Sequence, residues 1–147
     1  MSTTGLEDLY RETIMGHARR PHGSGLREGG AAESHQLNPT CGDEITVRLH
    51  MDASGERLSS ISWEGHGCAI SQASASMLSD LVQDLDTAEV HERISAFRDM
   101  MRSQGASEGD EDLLGEAVTL SGVSRYVARI KCAMLSWVAV EDALTRV

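Results

Sequence analysis

At 147 residues and a net charge of −10, with 23 acidic against 13 basic side chains, the chain offers no Lys/Arg cluster for a phosphate backbone, so nucleic acid is not an expected partner. No apolar run approaches the roughly 20 residues of a membrane span, and the N-terminus lacks the charged-then-apolar layout of a signal peptide; a cytoplasmic protein with no membrane partner is expected. A chain this long buries about 68–70% of its unfolded surface, so one domain over 1–147 needs neither metal nor disulfide for its core, and three cysteines do not suggest a disulfide framework.

Thr4 to Glu7 has the form of a capping box opening a helix that carries Leu6, Leu9, Tyr10, Ile14 and His17 on one face. Arg19-Arg20-Pro21 stops it, and His22 to Gly25 with Gly29-Gly30 forms a mobile connector. A short strand is expected over 31–37. Ile45, Val47, Leu49 and Met51 alternate with Thr46, Arg48 and His50, the pattern of a half-buried strand. After a turn at 52–56, Leu58 to Glu64 returns as its antiparallel partner. A helix follows Cys68 with Ala73, Met77, Leu78, Leu81 and Leu85 at helical spacing, and Asp86 with Glu89 caps the next, whose stripe is Val90, Ile94, Phe97 and Met101. Residues 103–112 read as a solvated acidic connector. A short segment around Leu113–Leu120 precedes a last helix opened by Ser124, with Val127, Ile130, Met134, Trp137, Val138 and Leu144 as its apolar face. Cys132 falls off that face, beside Arg125, Arg129 and Ser136.

The chemistry-bearing residues are few. In Asn38-Pro39-Thr40-Cys41-Gly42-Asp43, extended backbone turns Cys41 and Asp43 to the same side, while Pro39 restrains Asn38 and Gly42 frees the backbone between thiol and carboxylate. Cys68 stands at a strand-to-helix junction, where unpaired N–H groups favour a thiolate. Each cysteine alone is better explained as a buried structural thiol. Together with Asp43, the three make a four-ligand set of the kind tetrahedral zinc accepts. His66 is an alternative ligand but reads better as a surface side chain. His17, His22, His35, His50 and His91 show no paired metal spacing.

Three motifs, Asn38-Pro39-Thr40-Cys41-Gly42-Asp43, Gly67-Cys68-Ala69-Ile70-Ser71 and Arg129-Ile130-Lys131-Cys132-Ala133, resemble the U-type iron–sulfur assembly family (IscU/NifU/SufU). Tyr10, Ile14, His17 and Pro21 fit the family's N-terminal helix, although Gly16 and Ala18 replace an acidic residue and an aromatic. Isc-type scaffolds carry a histidine just before the third cysteine, where this chain has Lys131. That lysine, the longer stretch between Cys68 and Cys132, and Lys-Cys-Ala-x-x-x-Trp at 131–137 resemble the SufU branch.

The resemblance implies an α+β fold of the SufE/NifU kind, a small antiparallel sheet of about three strands with helices packed on one face. It implies a zinc-dependent sulfurtransferase taking persulfide sulfur from a pyridoxal-phosphate cysteine desulfurase (SufS-like) and serving downstream iron–sulfur assembly machinery. The expected metal ligands are Cys41, Asp43, Cys68 and Cys132. Charged Lys131 has no lone pair to offer a metal, which favours zinc over a held cluster. Cys41 is the expected catalytic acceptor, because its Gly42-flanked loop can swing off the metal while helices hold Cys68 and Cys132. Arg129 is expected to orient the site or meet the partner. The alternative is a scaffold on which an iron–sulfur cluster is transiently assembled.

Overall fold

The structure, a computed structural model, describes residues 3–147, with side chains from Gly5 onward. Its sheet is antiparallel in the order β1 (Ala32–Asn38), β2 (Asp43–Met51), β3 (Arg57–His66), β4 (Leu85–Asp86). Strict alternation in β2 sends Ile45, Val47 and Leu49 into the core and leaves Thr46, Arg48 and His50 half-buried opposite. Directly paired residues share a face, so Trp63 opposite Val47 and Ile61 opposite Leu49 extend the same apolar surface. The period of two, carried back from Ile45, puts Asp43 on this core face too, at 1% exposure.

Helices cover that face. Helix α2 (Ala69–Leu81) packs against β3, and α5 (Val127–Leu144) lies across β1 and β2. Helix α3 (Thr87–Arg102) stacks Phe97 flat on Trp137 of α5, with ring centroids 4.0 Å apart. Helix α1 (Thr3–Arg19) lies on α2. A short α4 (Glu111–Leu114) and a 3₁₀ segment (Gly115–Arg125) close the end of the core. Ser74 of α2 fastens α2 to α5: its hydroxyl donates to the Ala133 carbonyl (2.6 Å) and accepts from the Trp137 indole N–H (2.8 Å). Both side chains are fully buried, so water cannot replace these bonds. Among the described residues no helix is long and apolar enough to cross a membrane.

The α+β architecture and the Asp86–Glu89 capping box are as the sequence indicates; Asp86 accepts from Glu89 N (2.8 Å) and Glu89 reaches back to Asp86 N (3.2 Å). Several elements differ. The sheet has four strands, because Leu85 and Asp86 pair with Leu58 and Arg57 instead of continuing α2. The connector after α1 is pinned, with Gly25 N donating to Trp63 O (2.7 Å) and Trp63 N to Gly23 O (2.9 Å). Leu6 and Leu9 are exposed, so the inner face of α1 is covered only from Tyr10 onward, and the Thr4 side chain of the expected capping box lies outside the described residues.

The segment 103–112 is partly packed. Gly105 N donates to Ser124 Oγ (2.8 Å), Gly109 closes on Met100, and Asp110 caps α4 through Asp112 N (3.0 Å). Ser124 is therefore buried in the 3₁₀ segment, and α5 starts only at Val127. Its buried face includes Cys132, Ala133, Ser136, Ala139 and Ala143 beside Trp137 and Leu144, whereas Val127 is 76% exposed. Cys132 thus points inward, away from the exposed Arg125 and Arg129.

Candidate metal and thiol centre

The motif 38–43 is the β1–β2 hairpin. Asn38 pairs with Asp43, and the turn closes through Gly42 N to Asn38 O (2.8 Å) with Gly42 at φ +75°, a conformation that favours glycine. Cys41 sits exposed at the tip. Its sulfur is 3.1 Å from Asp43 Oδ2 and 3.2 Å from Cys132 Sγ, and it receives a hydrogen bond from Asn38 Nδ2 (2.9 Å). Asn38 is itself buried, with Oδ1 accepting from Thr40 N (3.2 Å), so one amide fixes both the turn and the thiol.

Asp43 is the hub. A carboxylate on a core face is costly unless paired. Here Oδ1 accepts from Cys68 N (2.9 Å) at the start of α2, and Oδ2 faces Cys41 Sγ and, at 3.8 Å, Cys68 Sγ. Cys68 is the N-cap of α2 with no capping side chain of its own, so the carboxylate supplies both the acceptor and the negative charge that a helix N-terminus favours. Burial alone raises the Asp43 pKa, but hydrogen bonds from Cys132, Cys41 and Cys68 outweigh it and hold the carboxyl below its ordinary range. Burial pushes the Cys132 thiol far up, and contact with Asp43 and the two other thiols pushes it the same way.

Cys41, Asp43 and Cys132 thus present three ligand atoms all within 4.8 Å of one another, and Cys68 joins through the shared carboxylate. The other singled-out residues stand apart. Exposed Arg129 has no hydrogen bond or ion pair to these groups among the described residues; it lies on the rim of a groove of about 510 Å3 with Tyr10, Arg11, Ala69, Ile70 and Tyr126. His66 is on the surface, 3.2 Å from Glu44. Lys131 is exposed and lines an opening with Asn38, Pro39 and Thr40 of the hairpin, with no hydrogen bond or ion pair to the thiols or Asp43 among the described residues.

Asn38 and Gly67 take roles at this centre that their places in the sequence motifs do not reveal. A Cβ on Gly67 would collide with the Asp43 carboxylate and with Ser71 Oγ, so only glycine lets the chain pass this close. The signal for Asp43 was present: the alternation of β2, extended two residues back, lands a carboxylate where an apolar side chain belongs.

An α+β chain that gathers three thiols and one buried carboxylate from a hairpin, a strand-to-helix junction and a helix face has the layout of a thiol-bearing metal or sulfur-handling protein. Comparison with known proteins defines the family. Residues 9–133 match the NifU-like N terminal domain, and the chain belongs to that family, the U-type iron–sulfur assembly proteins. It is 40% identical over 141 residues to the Bacillus subtilis (strain 168) protein named zinc-dependent sulfurtransferase SufU, covering 96% of this chain and 92% of that one. It is 37% identical over 147 residues to the Streptococcus pyogenes serotype M1 protein named iron-sulfur cluster assembly scaffold protein IscU, covering 99% and 89%. The fold matches the crystal structure of the N-terminal part of a nitrogen-fixing NifU-like protein from Brucella abortus, with a TM-score of 0.83 at 23% identity over 96% of this chain and 95% of that one.

Proposed function

We propose that this chain is a zinc-dependent sulfurtransferase, which accepts persulfide sulfur from a SufS-like pyridoxal-phosphate cysteine desulfurase in the cytoplasm and yields it to the iron–sulfur assembly machinery. The observation that carries this reading is one exposed thiol, Cys41, held at a hairpin tip against buried Asp43 and Cys132. The relative named a zinc-dependent sulfurtransferase supports it.

The residues fit zinc. Two sulfurs and a carboxylate oxygen lie within 4.8 Å of one another, close to the ligand-to-ligand spacing of a tetrahedral site, and the third sulfur adjoins the same carboxylate. Cys41, Asp43, Cys68 and Cys132 would hold the ion, which supplies positive charge that keeps the sulfurs as thiolates at neutral pH.

The rest follows from the chain itself. Cys41 is the acceptor because attack requires an accessible thiolate, and the other two sulfurs are half-buried and buried. Its sulfur attacks the outer sulfur of the donor persulfide. A new S–S bond forms on Cys41, the old one breaks, and the desulfurase cysteine departs as a thiolate, so electrons balance without an added reductant. The Asn38 amide donates to the Cys41 sulfur and steadies its charge before and after transfer. Asp43 and Cys132 hold the buried side, and the fastening of α2 to α5 keeps Cys68 and Cys132 in register. Arg129, on the rim of the neighbouring groove, meets the partner.

Incubation with a SufS-like desulfurase and cysteine, followed by peptide mass mapping without reductant, is expected to find one extra sulfur on Cys41. Cys41→Ser removes both the label and any rise in alanine production. Sulfur found chiefly on Cys68 or Cys132 overturns the assignment.

The relative named a scaffold favours a second reading, in which an iron–sulfur cluster is assembled on the same thiols. Anaerobic reconstitution with iron and sulfide separates the two, since a scaffold develops stable visible absorption and the sulfur carrier does not.

A further inference from the structure

We propose a second metal site, built from His17, His22 and Asp80 with Glu116 beside it, which takes a borderline divalent ion such as Zn2+ or Co2+ on nitrogen and oxygen ligands. One ring nitrogen from each histidine and one Asp80 oxygen all lie within 4.8 Å of one another. The imidazole centroids are 4.9 Å apart and tilted by 60°. His22 Nδ1 is 2.6 Å from Asp80 Oδ2, and His17 Nε2 is 3.2 Å from Glu116 Oε1. The two rings and Glu116 line one opening of about 290 Å3. Two imidazoles with carboxylates and no thiolate suit zinc, cobalt or nickel, and are poorly matched to calcium or magnesium, which prefer oxygen.

The surrounding chain holds these groups in place, as the outer shell of a metal site does. The His17 side chain is 7% exposed, and Ser76 Oγ fixes its Nδ1 at 2.6 Å. His22 is half-exposed, yet its backbone is bound at both ends: its N–H donates to the same Ser76 Oγ (2.8 Å), and its carbonyl accepts from the Trp63 indole (2.8 Å). The next residue, Gly23 (φ +76°), lies so close to Ser79 that a Cβ would collide with that side chain, and this approach brings the His22 ring over Asp80. A surface His–Asp pair needs no second, buried imidazole beside it. Zinc–ligand bonds of about 2.0–2.2 Å put tetrahedral donors about 3.3–3.6 Å apart. The half-exposed His22 and Asp80 can close that difference while His17 stays fixed. An ion here would join the end of α1, the pinned connector, α2 and the 3₁₀ segment.

The test is Co2+ titration of metal-free full-length protein, read by visible and near-ultraviolet absorption, with equilibrium dialysis and elemental analysis for stoichiometry. Wild type is expected to bind two ions per chain, one with intense sulfur-to-cobalt absorption and one with only weak ligand-field bands. His22→Asn and Asp80→Asn, both exposed and expected to fold as wild type by far-UV circular dichroism, each weaken the second ion at least tenfold and leave the sulfur-to-cobalt absorption unchanged. One ion in the wild type, or a second ion bound equally well by both variants, overturns the proposal. Loss of the sulfur-to-cobalt absorption alone instead refutes the thiolate site and leaves this one standing.

Discussion

Ser74→Ala removes the hydroxyl that joins α2 to α5 and leaves the Trp137 indole N–H without a partner in a dry interior. A buried donor stranded in this way costs about 1–3 kcal/mol. For a chain near this size each kcal/mol lowers Tm by about 2–4 °C, so a drop of about 2–12 °C is expected. The assay is thermal unfolding by circular dichroism with metal chelated, because bound ion stabilises the folded state on its own account. Trp137→Phe removes the donor that Ser74→Ala strands. In a double-mutant cycle the serine substitution should therefore cost at least about 1 kcal/mol less in the phenylalanine background. A Tm shift below about 1 °C, or an equal cost in both backgrounds, refutes the clamp. The clamp also sets the spacing of Cys68, at the start of α2, from Cys132 on α5. Zinc affinity should accordingly fall in Ser74→Ala, while a surface change such as Glu92→Gln leaves it alone.

Cys68→Ser and Cys132→Ser are each expected to lose the ion held at the thiolate centre, one ion fewer per chain by elemental analysis, since a neutral hydroxyl is a poor substitute for thiolate; wild-type stoichiometry in either variant removes that residue from the ligand set. Asp43→Ala should weaken zinc binding and slow sulfur acceptance with Cys41 still present, measured as metal content and alanine production; no change in both would leave Asp43 a purely structural residue. Gly67→Ala drives a Cβ into the Asp43 carboxylate and should cost about 1–3 kcal/mol in chemical denaturation, with a parallel loss of metal affinity. Glu141 is paired through both oxygens with Arg98 (2.6 and 3.0 Å), and that hydrogen bonding holds its carboxyl below the ordinary range. A depressed folded-state pKa contributes stability above the unfolded carboxyl's value of about 4.3, lost as pH falls through the folded value. Because the pair is partly solvated, Arg98→Met should cost only about 0.5–1 kcal/mol at pH 7, and the difference should vanish in acid unfolding curves; a gap that persists in acid would mean lost packing instead.

Features set by neighbours in sequence were legible. The Asp86–Glu89 box spans four residues and the β2 alternation from Ile45 is likewise local, and both appear as read. Strand β4 was not, because two residues carry no period and exist as a strand only through pairing with β3. The inner face of α5 is hard to read from sequence for a related reason. A stripe drawn through large apolar residues passes over Ala133, Ser136, Ala139 and Ala143, the small residues that let α5 lie close to the sheet and α2. Cys132 travels with those small residues, so its burial was hidden. At the centre, each thiol could be assigned to its segment, but their convergence depends on hairpin, junction and helix meeting in space. His17 and His22 are five residues apart across Pro21, a spacing with no helical meaning; only the turn at Gly23 onto α2 brings them to Asp80.

Asp43 is where fold and chemistry constrain each other most. A residue that completed the apolar face of β2, a valine for instance, would satisfy the sheet and the core. It would also leave the Cys68 N–H at the start of α2 without its acceptor, and the three thiols without the carboxylate they face. The acidic side chain therefore gives up the apolar burial that its position offers, and recovers part of that loss through hydrogen bonds to its own oxygens. It also reaches the β1–β2 hairpin, α2 and the thiol of Cys132 together. Such a residue ties the exposed hairpin tip to the buried side of the centre. Cys41 can meet a partner at the surface while its sulfur remains 3.1 Å from a carboxylate anchored in the core.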